Sequence, residues 1–597
     1  MKVRLAGLAL AALPLLYLVQ VPVQAAPNAG SQPDSAYAAS FATSGVTNVF
    51  ATTQKTSCYT PEVPYFRSNG PNDGYTGMLP CNGASNTGEN LGPYAVQAGS
   101  NPGYPAASPM LVKDHSESDL RVDPTNPNHI IGTVKWFVSA EGYNHLLGFF
   151  ESFDRGATWP VQGHVPGYEG WTDNTDPIGA FDSYGNFYFL NLPYEFYYDR
   201  DGSHNFQINQ NKEPNPSIPP EVISIAVRPH GAATANDWIT QHAGHLDYVA
   251  VYDAKGREPD KQWIAIDTNP SSPFFNRVYA LWAVFDGCCT AKTFAAHAQA
   301  FPDGTHSDWS TPVKLPDGSN NPQGTTYVLP HVDKDGILYT PLTNTAPTNH
   351  YCCDKITMIK SNDGGVTWTV TSVVTDNIGA PPGEYPNTTF RDGIETTFTV
   401  GPRKVNGHYP LYVAYEDYSS GFGNVQLTAS FDGGYTWTAP LVVNDNAGPA
   451  DEFQPQLAAS AAGTVSVNFY DRRLACPTLG PEATAAGIAL DQLNPRYSGS
   501  LPPYGATNYC VNASVQFFSA DLRRTGHNIR LSQHGFDPQL NAPHTGCAAC
   551  TRTFIGDYFG NDFSGTISVS TFVSTYDDGS NPAHYQQQVV ARVASPS

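Results

Sequence analysis

One eight-residue pattern occurs three times in the chain of 597 residues. The copies share the sequence Ser-x-Asp-x-Gly-x-Thr-Trp and lie at 152–159, 361–368 and 430–437. The Ser and Asp side chains can accept hydrogen bonds from nearby turn amides, and Gly can take the positive φ of a tight turn. Thr returns the chain to a strand, and Trp provides a large apolar anchor. Each copy is therefore predicted to be a turn that joins two strands and carries its own stabilising contacts.

A longer and weaker repeat surrounds these copies. An apolar strand, a polar turn and a second apolar strand recur seven times, beginning near Leu120, Ile178, Trp263, Tyr327, Glu395, Gln454 and Tyr558. Repetition of one supersecondary unit at this spacing is typical of a propeller. A plain hairpin followed by a second hairpin gives four strands per unit. The sequence predicts an all-β fold, a β-propeller of seven four-stranded blades; six blades is the alternative if one hairpin is accessory.

Composition and the chain termini set the domain boundaries. With 53 glycines, 50 prolines and 12% aromatic residues, the chain has the turn-rich composition of β proteins. Residues 1–26 join a short basic start to an apolar run and small residues near Ala25. This pattern predicts a secretory signal peptide, hence a secreted, extracellular or periplasmic protein. No later stretch has the apolar length of a membrane span. Residues 27–112 are predicted to form an irregular extension, and residues 113–597 the propeller.

Charge and cysteine content limit the partners. A net charge of −22 disfavours a nucleic-acid partner. Ten cysteines in an exported chain predict disulfides rather than metal sites. Cys476 and Cys510 bracket an insertion and are predicted to pair. The vicinal pairs at 288–289 and 352–353 are predicted to cross-link blades three and four, with a disulfide inside each vicinal pair as the alternative.

Strand order predicts which face carries a site. If the strands of a blade are named A to D from the axis outward, the A–B and C–D turns share one face. The three copies of the repeat are C–D turns. Four insertions, at 194–220, 287–294, 344–354 and 474–512, fall between strands B and C and therefore on the opposite face. Loops grouped on one face of a rigid scaffold commonly carry binding. We therefore expect the repeats to hold the blades together and the loop face to carry the function.

Polar residues at the starts of the innermost strands are predicted to surround the channel mouth on the loop face. They are His115, Glu117, Asp119, Asp173, Asp176, Asp260, Lys261, Gln323, Tyr327, Arg391, Asp392, Asp451, Glu452, Asp557 and Tyr558. Clustered carboxylates shift one another's pKa, which suits acid–base chemistry or cation binding. The alternative is that each Asp only caps its turn.

No cofactor is predicted. Ca²⁺ is the cation that clustered carboxylates would suit, although no loop has a recognisable calcium spacing. The pair His242 and His245 is interpreted as a polar loop rather than a metal site, since no third ligand is evident in the sequence.

The three Ser-x-Asp-x-Gly-x-Thr-Trp copies resemble the Asp-box (BNR) repeat of sialidase-like β-propellers. The resemblance runs from about residue 114 to the C-terminus and implies a secreted glycoside hydrolase, exo-acting, whose partner is a glycan or polysaccharide, including an acidic one. The alternatives are a non-catalytic propeller that binds glycan or protein, and a polysaccharide lyase on the same fold. Neither the glycan nor the oligomeric state follows from the sequence.

The resemblance also gives roles to residues of the channel mouth. Sialidases use a Tyr nucleophile and clamp the substrate carboxylate with arginines, whose planar guanidinium groups fit it in a bidentate manner. The candidate catalytic residues are Asp176, Glu395, Asp471 and Tyr558. The candidate substrate-binding residues are Arg121, Arg391, Arg472, Arg552 and Asp260.

Overall fold

The computed structural model describes most of the predicted propeller and a short part of the predicted extension. The described residues are 32–46, 49, 115–137, 145–168, 173–194, 196–198, 212–214, 219, 221–252, 257–286, 290–316, 325–344, 355–376, 378–382, 385, 388, 390, 392–393, 396–477, 479–487, 509–538, 555–579 and 587–596. Several predictions lie outside them, namely those for the signal peptide, Glu395, Arg391, Arg552 and the vicinal cysteine pairs.

Seven antiparallel sheets form the blades, which confirms the prediction of a seven-bladed β-propeller. The strands of blade one are His115–Val122, Ile130–Phe137, His145–Ser152 and Val161–His164. Those of blade two are Asp173–Phe181, Phe187–Tyr194, Glu221–Arg228 and Tyr248–Tyr252. Those of blade three are Arg257–Ile266, Arg277–Asp286, Thr290–Gln299 and Val313–Lys314.

Blades four to seven repeat the same order. Blade four has Thr325–Thr326 and His331–Val332 on its inner edge, then Leu338–Asn344, Lys355–Ser361 and Thr369–Asp376. Blade five has Thr397–Val400, Leu411–Asp417, Asn424–Ser430 and Leu441–Val442. Blade six has Glu452–Ala459, Val465–Asp471, Asn512–Phe518 and Arg524–Arg530. Blade seven has Asn561–Ser564, Ile567–Ser574, Gln588–Ala594 and, outermost, Ser44–Val46.

Few of the described elements lie outside the blades. Two short helices cover Asp34–Ala39 and Gly480–Ala485. Two small hairpins pair Phe196–Tyr198 with Lys212–Pro214, and Gln241–His242 with His245–Leu246. In the described ranges, neither helix has the length or apolar character needed to cross a bilayer.

The ring of blades is closed by the beginning of the chain. Ser44–Val46 pairs antiparallel with the last strand, in the register Ser44 opposite Val593 and Val46 opposite Ala591. These residues belong to the segment predicted as an irregular extension, so the outer strand of blade seven comes from before the predicted propeller boundary at residue 113. Because the two ends of the chain share one sheet, this pairing adds to the direct packing of blade one on blade seven in holding the ring closed.

The short helix Asp34–Ala39 fixes this N-terminal segment to blade six. Tyr37 is fully buried, and its hydroxyl lies within hydrogen-bond distance of Ser514 Oγ. The guanidinium carbon of Arg473 lies 4.0 Å from the centre of the Tyr37 ring. The helix therefore contributes one large buried side chain to a polar cluster of the neighbouring blade.

The hydrophobic core lies between blades rather than at the centre. One cluster packs Ile178 and Leu190 of blade two against Ile264 and Trp282 of blade three. Others join blades one and two, three and four, four and five, and five and six, and the largest joins blades six, seven and one. Alternate residues of each strand face each neighbour, so both faces of a blade must be apolar. The axis is left to the polar ends of the innermost strands.

The three Ser-x-Asp-x-Gly-x-Thr-Trp turns lie on the face predicted from strand order. In blade one, the amide of Arg155 in the C–D turn donates to the carbonyl of Asn128 in the A–B turn, at 3.1 Å. In blade five, the carbonyl of Gly434 accepts a hydrogen bond from Ser372 Oγ of blade four, and Trp437 Nε1 donates to the same hydroxyl at 2.9 Å. The turns thus connect neighbouring blades on the face opposite the long insertions.

Replacing Asp432 with Ala is expected to destabilise the fold without changing the opposite face. Its Oδ1 accepts hydrogen bonds from Ser430 Oγ and the Thr436 amide, and its Oδ2 accepts one from Thr436 Oγ1. Losing them should lower the free energy of unfolding by about 1–2 kcal/mol. A thermal melt measures the loss.

The pH dependence of that loss gives a second check. Burial raises the pKa of Asp432, but the hydrogen bonds from Thr436 and Ser430 outweigh burial and lower it overall. A lowered folded-state pKa stabilises above the unfolded-state pKa, and this stability is lost as the pH falls through the folded-state value. The difference in melting temperature between wild type and Asp432→Ala should therefore shrink in acid. An equal difference at pH 7 and pH 3 would contradict this reasoning.

The insertion in blade six is closed by a disulfide between Cys476 and Cys510, as the sequence predicts. The two Cα atoms are 4.8 Å apart, and the bond spans 34 residues. Its place between strands B and C fixes both ends of this insertion on the loop face.

Candidate functional site

The innermost strands carry a bulge at equivalent positions in several blades. The ladder between the first two strands shifts register after Ser116 in blade one, after Thr175 in blade two, after Asp260 in blade three and after Phe453 in blade six. At each shift a non-glycine residue has a positive φ, between 49° and 53°, and Tyr327 of blade four has 54°. A positive φ interrupts the regular alternation of side chains along a strand. This backbone conformation costs about 1 kcal/mol or more of folding free energy.

These residues, with Asp392 and Asp557, form what we call the axial ring. Its members, one from each blade in order, are Glu117, Asp176, Lys261, Tyr327, Asp392, Gln454 and Asp557. Two of the bulges have a sequence cause, because Pro177 and Pro455 follow Asp176 and Gln454 and cannot donate to a ladder. Strained backbone conformations persist only where the surrounding structure holds them, and they are common at functional sites. Their repetition around one axis therefore indicates a functional site.

Lysine ammonium groups connect the acids of the ring. Lys135 Nζ lies 2.7 Å from Glu117 Oε2 and 3.1 Å from Asp176 Oδ1. Lys261 Nζ bonds to Asp557 Oδ2 and lies 5.7 Å from the centre of the Tyr327 ring. One salt bridge thus joins blades one and two, and another joins blades three and seven.

Amide side chains complete the ring. Gln454 Nε2 donates to the carbonyl of Gly556 at 2.8 Å and to Asp392 Oδ1 at 3.3 Å. Gln262, next to the bulge of blade three, donates to the carbonyl of Asp176. The two glutamines therefore hold bulge backbone and ring carboxylate in fixed positions.

Asp176 and Asp260 are hydrogen-bonded to each other and have different protonation. Burial alone would raise the pKa of Asp176, but the ammonium groups of Lys135 and Lys261 outweigh it and hold that pKa well below its usual range. Burial and the nearby Asp176 charge raise the pKa of Asp260 to about 7, against the attraction of Lys261. At neutral pH, Asp176 is therefore an ionised carboxylate, and Asp260 is the member of the pair that holds a proton more readily.

Glu117 lies behind this pair. Burial and the charge of Asp176 raise its pKa to about 8, against the attraction of Lys135. Glu117 is fully buried, so it can influence Asp176 through Lys135 without reaching a ligand.

A small cleft opens beside the ring and is partly open to solvent. Asp176, Lys261 and Asp557 contribute its charged wall, and Trp263, Tyr327 and Tyr558 its aromatic wall. The rings of Trp263 and Tyr558 meet edge to face at 5.5 Å. We call this cleft the axial pocket. Its combination of aromatic rings and a few polar groups is typical of a small-ligand site.

The predicted catalytic residues fall in two different places. Asp176 and Tyr558 line the axial pocket, and Asp260, which was predicted to bind substrate, is bonded to Asp176. The hydroxyl of Tyr558 donates to the carbonyl of Pro177 at 3.0 Å. Burial and the charge of Glu117 raise the pKa of Tyr558 well above its ordinary value, so its phenol stays protonated.

Asp471 lies in a buried ion cluster of blade six instead. Its Oδ2 accepts hydrogen bonds from Arg473 Nε and from Ser514 Oγ, at 2.9 and 3.0 Å. Arg473 also donates to Asp445 Oδ1 at 2.7 Å and to Asn528 Oδ1 at 2.6 Å. These contacts account for both the burial and the charge of Asp471 without a ligand.

The predicted arginines are engaged with protein groups where they are described. Arg121 Nη1 lies 2.7 Å from Asp119 Oδ1, and its Nε donates to the carbonyl of Gly179 at 3.0 Å. Arg472 Nη1 lies 3.0 Å from Asp451 Oδ2, and its side chain is buried. Neither guanidinium lines the axial pocket. Arg391 and Arg552 lie outside the described residues.

Replacing Arg473 with Ala is expected to destabilise the protein strongly. The change would leave the carboxylates of Asp471 and Asp445 buried without their shared cation, which costs about 3–5 kcal/mol. The matched control is Arg523→Ala, since Arg523 pairs with Asp521 while 81% exposed and should contribute less than about 1 kcal/mol. Chemical denaturation of both variants measures the difference. Equal losses in the two variants would contradict the role of the buried cluster.

Some members of the site are not evident from the sequence reasoning. Lys135 is the main one, although a single charge inside the apolar strand Ile130–Phe137 is a signal that could have identified it. Gln454 could have been identified from the proline that follows it. Trp263 was treated only as the start of a repeat, and its contact with Tyr558 depends on the closure of the ring.

Comparisons with known proteins give a likeness of fold. No protein-family model matches the sequence, and no curated protein sequence does. A protein of unknown function from Dyadobacter fermentans is 10% identical, over 82% of this chain and 98% of that one, with a TM-score of 0.39. A sialidase from Streptococcus pneumoniae is 10% identical over 83% and 71% of the two chains, with a TM-score of 0.36.

An α-L-arabinanase from Penicillium chrysogenum is a third similar structure. It is 8% identical over 61% of this chain and 94% of its own, with a TM-score of 0.36. Sialidases and arabinan-degrading enzymes are thus among the solved structures that the chain resembles, at identities that concern the fold alone.

Proposed function

We propose that this chain is a carbohydrate-active protein that binds a glycan in the axial pocket and hydrolyses a glycosidic bond there. Asp260 is the proton donor and Asp176 the base or nucleophile. The observation that carries the proposal is the pair of bonded carboxyl groups whose pKa values are driven in opposite directions beside an aromatic pocket.

Glycoside hydrolysis commonly uses two carboxyl groups in different protonation states. Environments that separate the pKa values of two neighbouring acids assign the acid and the base. Here Lys135 keeps Asp176 ionised, while burial keeps a proton on Asp260. Asp176 lines the pocket and Asp260 does not, and glycosidases hold their two carboxyl groups about 5 to 10 Å apart. A sugar that enters the pocket would therefore have to part the two groups before its glycosidic oxygen receives the proton of Asp260. The raised pKa of Tyr558 argues against a phenolate nucleophile, so Asp176 is preferred for that role.

The described charges favour a neutral sugar over an acidic one. An anionic substrate would need unshared cations, but Lys261 is bonded to Asp557 and Arg121 to Asp119. Trp263 and the two pocket tyrosines offer apolar faces on which a pyranose ring can pack. Export is part of the proposal, supported by the signal-like residues 1–26 and by the disulfide of Cys476.

A second candidate function is glycan binding without hydrolysis. The pairing of Arg121 and Arg472 with carboxylates favours it, since these charges are then structural. In both functions the glycan binds in the axial pocket. They differ in whether the Asp176–Asp260 pair hydrolyses the bound glycan.

A glycan array followed by a hydrolysis assay on the bound glycans separates the two functions. Wild type should bind a neutral glycan and release sugar from it. Trp263→Ala should weaken binding about tenfold, because it removes an aromatic wall of the pocket. Trp368→Ala is the matched control, since Trp368 belongs to a turn on the opposite face and its Nε1 donates to Gly365. Binding without release would favour the second function, and no effect of Trp263→Ala would contradict both.

A further inference from the structure

Two histidines and an aspartate meet on the side of the propeller opposite the axial pocket. His242 lies in the small hairpin between strands C and D of blade two, and Asp247 follows that hairpin. His306 comes from the C–D connection of blade three. One ligand-type atom from each of the three lies within 4.8 Å of the others. The axial ring and its proposed chemistry use none of these residues.

Two of the three are buried, and they contact each other directly. Asp247 and His306 are each 6% exposed, whereas His242 is half-buried. His306 Nε2 lies 2.6 Å from Asp247 Oδ2. The rings of His242 and His306 are nearly parallel, with centres 5.4 Å apart and an angle of 8° between their planes. The cluster therefore has a closed inner side and one edge that is open to solvent.

Neighbouring groups orient the inner histidine. His306 Nδ1 lies 2.7 Å from the carbonyl of Ser307, a distance at which a protonated Nδ1 donates to that carbonyl. An ion bound between His306 Nε2 and Asp247 Oδ2 would take the place of the proton that these two atoms share. Trp309 packs edge-on against the His306 ring at 5.5 Å. In metal sites a histidine commonly donates its remote N–H to a carbonyl while its other nitrogen binds the ion.

The other two side chains are also positioned by the backbone. The amide of Asp247 donates to the carbonyl of Thr240 across the base of the hairpin, and its carbonyl accepts a hydrogen bond from Ser224 Oγ at 2.9 Å. Ala243 and Gly244 both have a positive φ, which makes the turn that brings His242 back towards His306. The third residue of the cluster, His306, is distant from His242 and Asp247 in the sequence. The fold brings it close from the next blade.

We propose that His242, Asp247 and His306 bind a divalent transition metal, with Zn²⁺ as the best fit. Two imidazoles and one carboxylate are ligands that Zn²⁺ accepts, and they suit Ca²⁺ and Mg²⁺ poorly. The fourth position faces solvent, where water or Asp308 can complete the coordination. Asp308 Oδ1 already lies 3.0 Å from His242 Nε2. The bound ion joins the C–D connections of blades two and three, so its role is to fasten these blades.

The site can be tested by titrating ZnCl2 into full-length protein that has first been dialysed against a chelator. Isothermal calorimetry should show a Zn²⁺ site that is weakened at least tenfold by His242→Ala and lost in His306→Ala. His245→Ala is the matched control, because His245 lies in the same hairpin, is exposed and stacks on Tyr248 outside the cluster. It should leave the affinity unchanged. CaCl2 in place of ZnCl2 should give no heat that depends on these variants.

A second measurement keeps the test valid if His306→Ala fails to fold. Co²⁺ bound to the wild-type site should give the visible absorption of a four-coordinate ion, and His242→Ala, at the half-buried position, should reduce it. Zn²⁺ should also raise the melting temperature of wild type and of His245→Ala but not of His242→Ala. Absence of Zn²⁺ binding, or equal binding by wild type and His242→Ala, would overturn the proposal.

Discussion

A chain that begins at residue 47 is expected to lose the closed propeller. It lacks strand Ser44–Val46, which pairs with the last strand of blade seven, and helix Asp34–Ala39, which buries Tyr37 in blade six. Removing a large buried aromatic side chain costs about 3–5 kcal/mol by itself. The truncation also exposes the outer edge of strand Gln588–Ala594, because the strand that pairs with this edge is gone. Because whole domains are stable by only about 5–15 kcal/mol, the truncated chain should melt far below wild type or fail to fold.

A shorter truncation serves as the control for this experiment. A chain that begins at residue 32 keeps the helix and the strand, so it should melt with a chain that begins at residue 27. Near-ultraviolet circular dichroism and thermal melts compare the three proteins. If the chain from residue 47 melted within about 2 °C of the others, the N-terminal strand would not be what closes the ring.

Replacing Asp260 with Asn is expected to lower kcat on the glycan substrate by a factor of about 10² to 10⁴, the usual contribution of a general acid. The amide cannot deliver the proton that Asp260 holds. Binding should change little, because Asn can still bond to Asp176. The melting temperature should be retained or raised, since the change removes a carboxyl group from beside the Asp176 charge.

The pH profile identifies the acid. Because Asp260 acts in its protonated form and its pKa is raised to about 7, wild-type activity should fall as the pH rises through that value. Residual activity of Asp260→Asn should lack this decline. Three charged groups face the Asp176–Asp260 pair and shift its titration, namely Lys261, Lys135 and Glu117.

Glu117→Gln is the control, since the pKa of Glu117 is raised to about 8. It should keep the alkaline decline and move it slightly, through Lys135. If the alkaline decline in activity disappeared in Glu117→Gln and persisted in Asp260→Asn, the acid would be Glu117 and not Asp260, and the proposal would be wrong.

The sequence predicts the blades because each strand's pattern is local. Alternating apolar residues and three self-stabilised turns specify four strands per unit, and counting strands gives the two faces. The disulfide of Cys476 follows from its place at the edge of an insertion. The strand Ser44–Val46 could not be predicted in this way. It is three residues long, and its only reason to be a strand is a partner at the other end of the chain.

The site is predictable only in outline. The position of Asp176 at the start of an inner strand follows from the repeat, but its protonation depends on Lys135 of another blade. Asp471 and Arg472 are adjacent in the sequence, and the sequence predicts both as residues of the site. Adjacent residues at a strand end point to different sides, and the two side chains therefore have different partners, Arg473 and Asp451.

The closure of blade seven has a consequence for synthesis. During translation the strand Ser44–Val46 is made long before its partner Gln588–Ala594. Blades one to six can pair their own strands as they emerge, but the first strand must wait, unpaired, until residues 588–594 have emerged. The last event in folding is then the search of one short segment for an edge nearly a full chain length away, a contact of the kind that slows folding. A nascent chain halted before residue 588 would hold only the two inner strands of blade seven and would leave Ser44–Val46 without its partner.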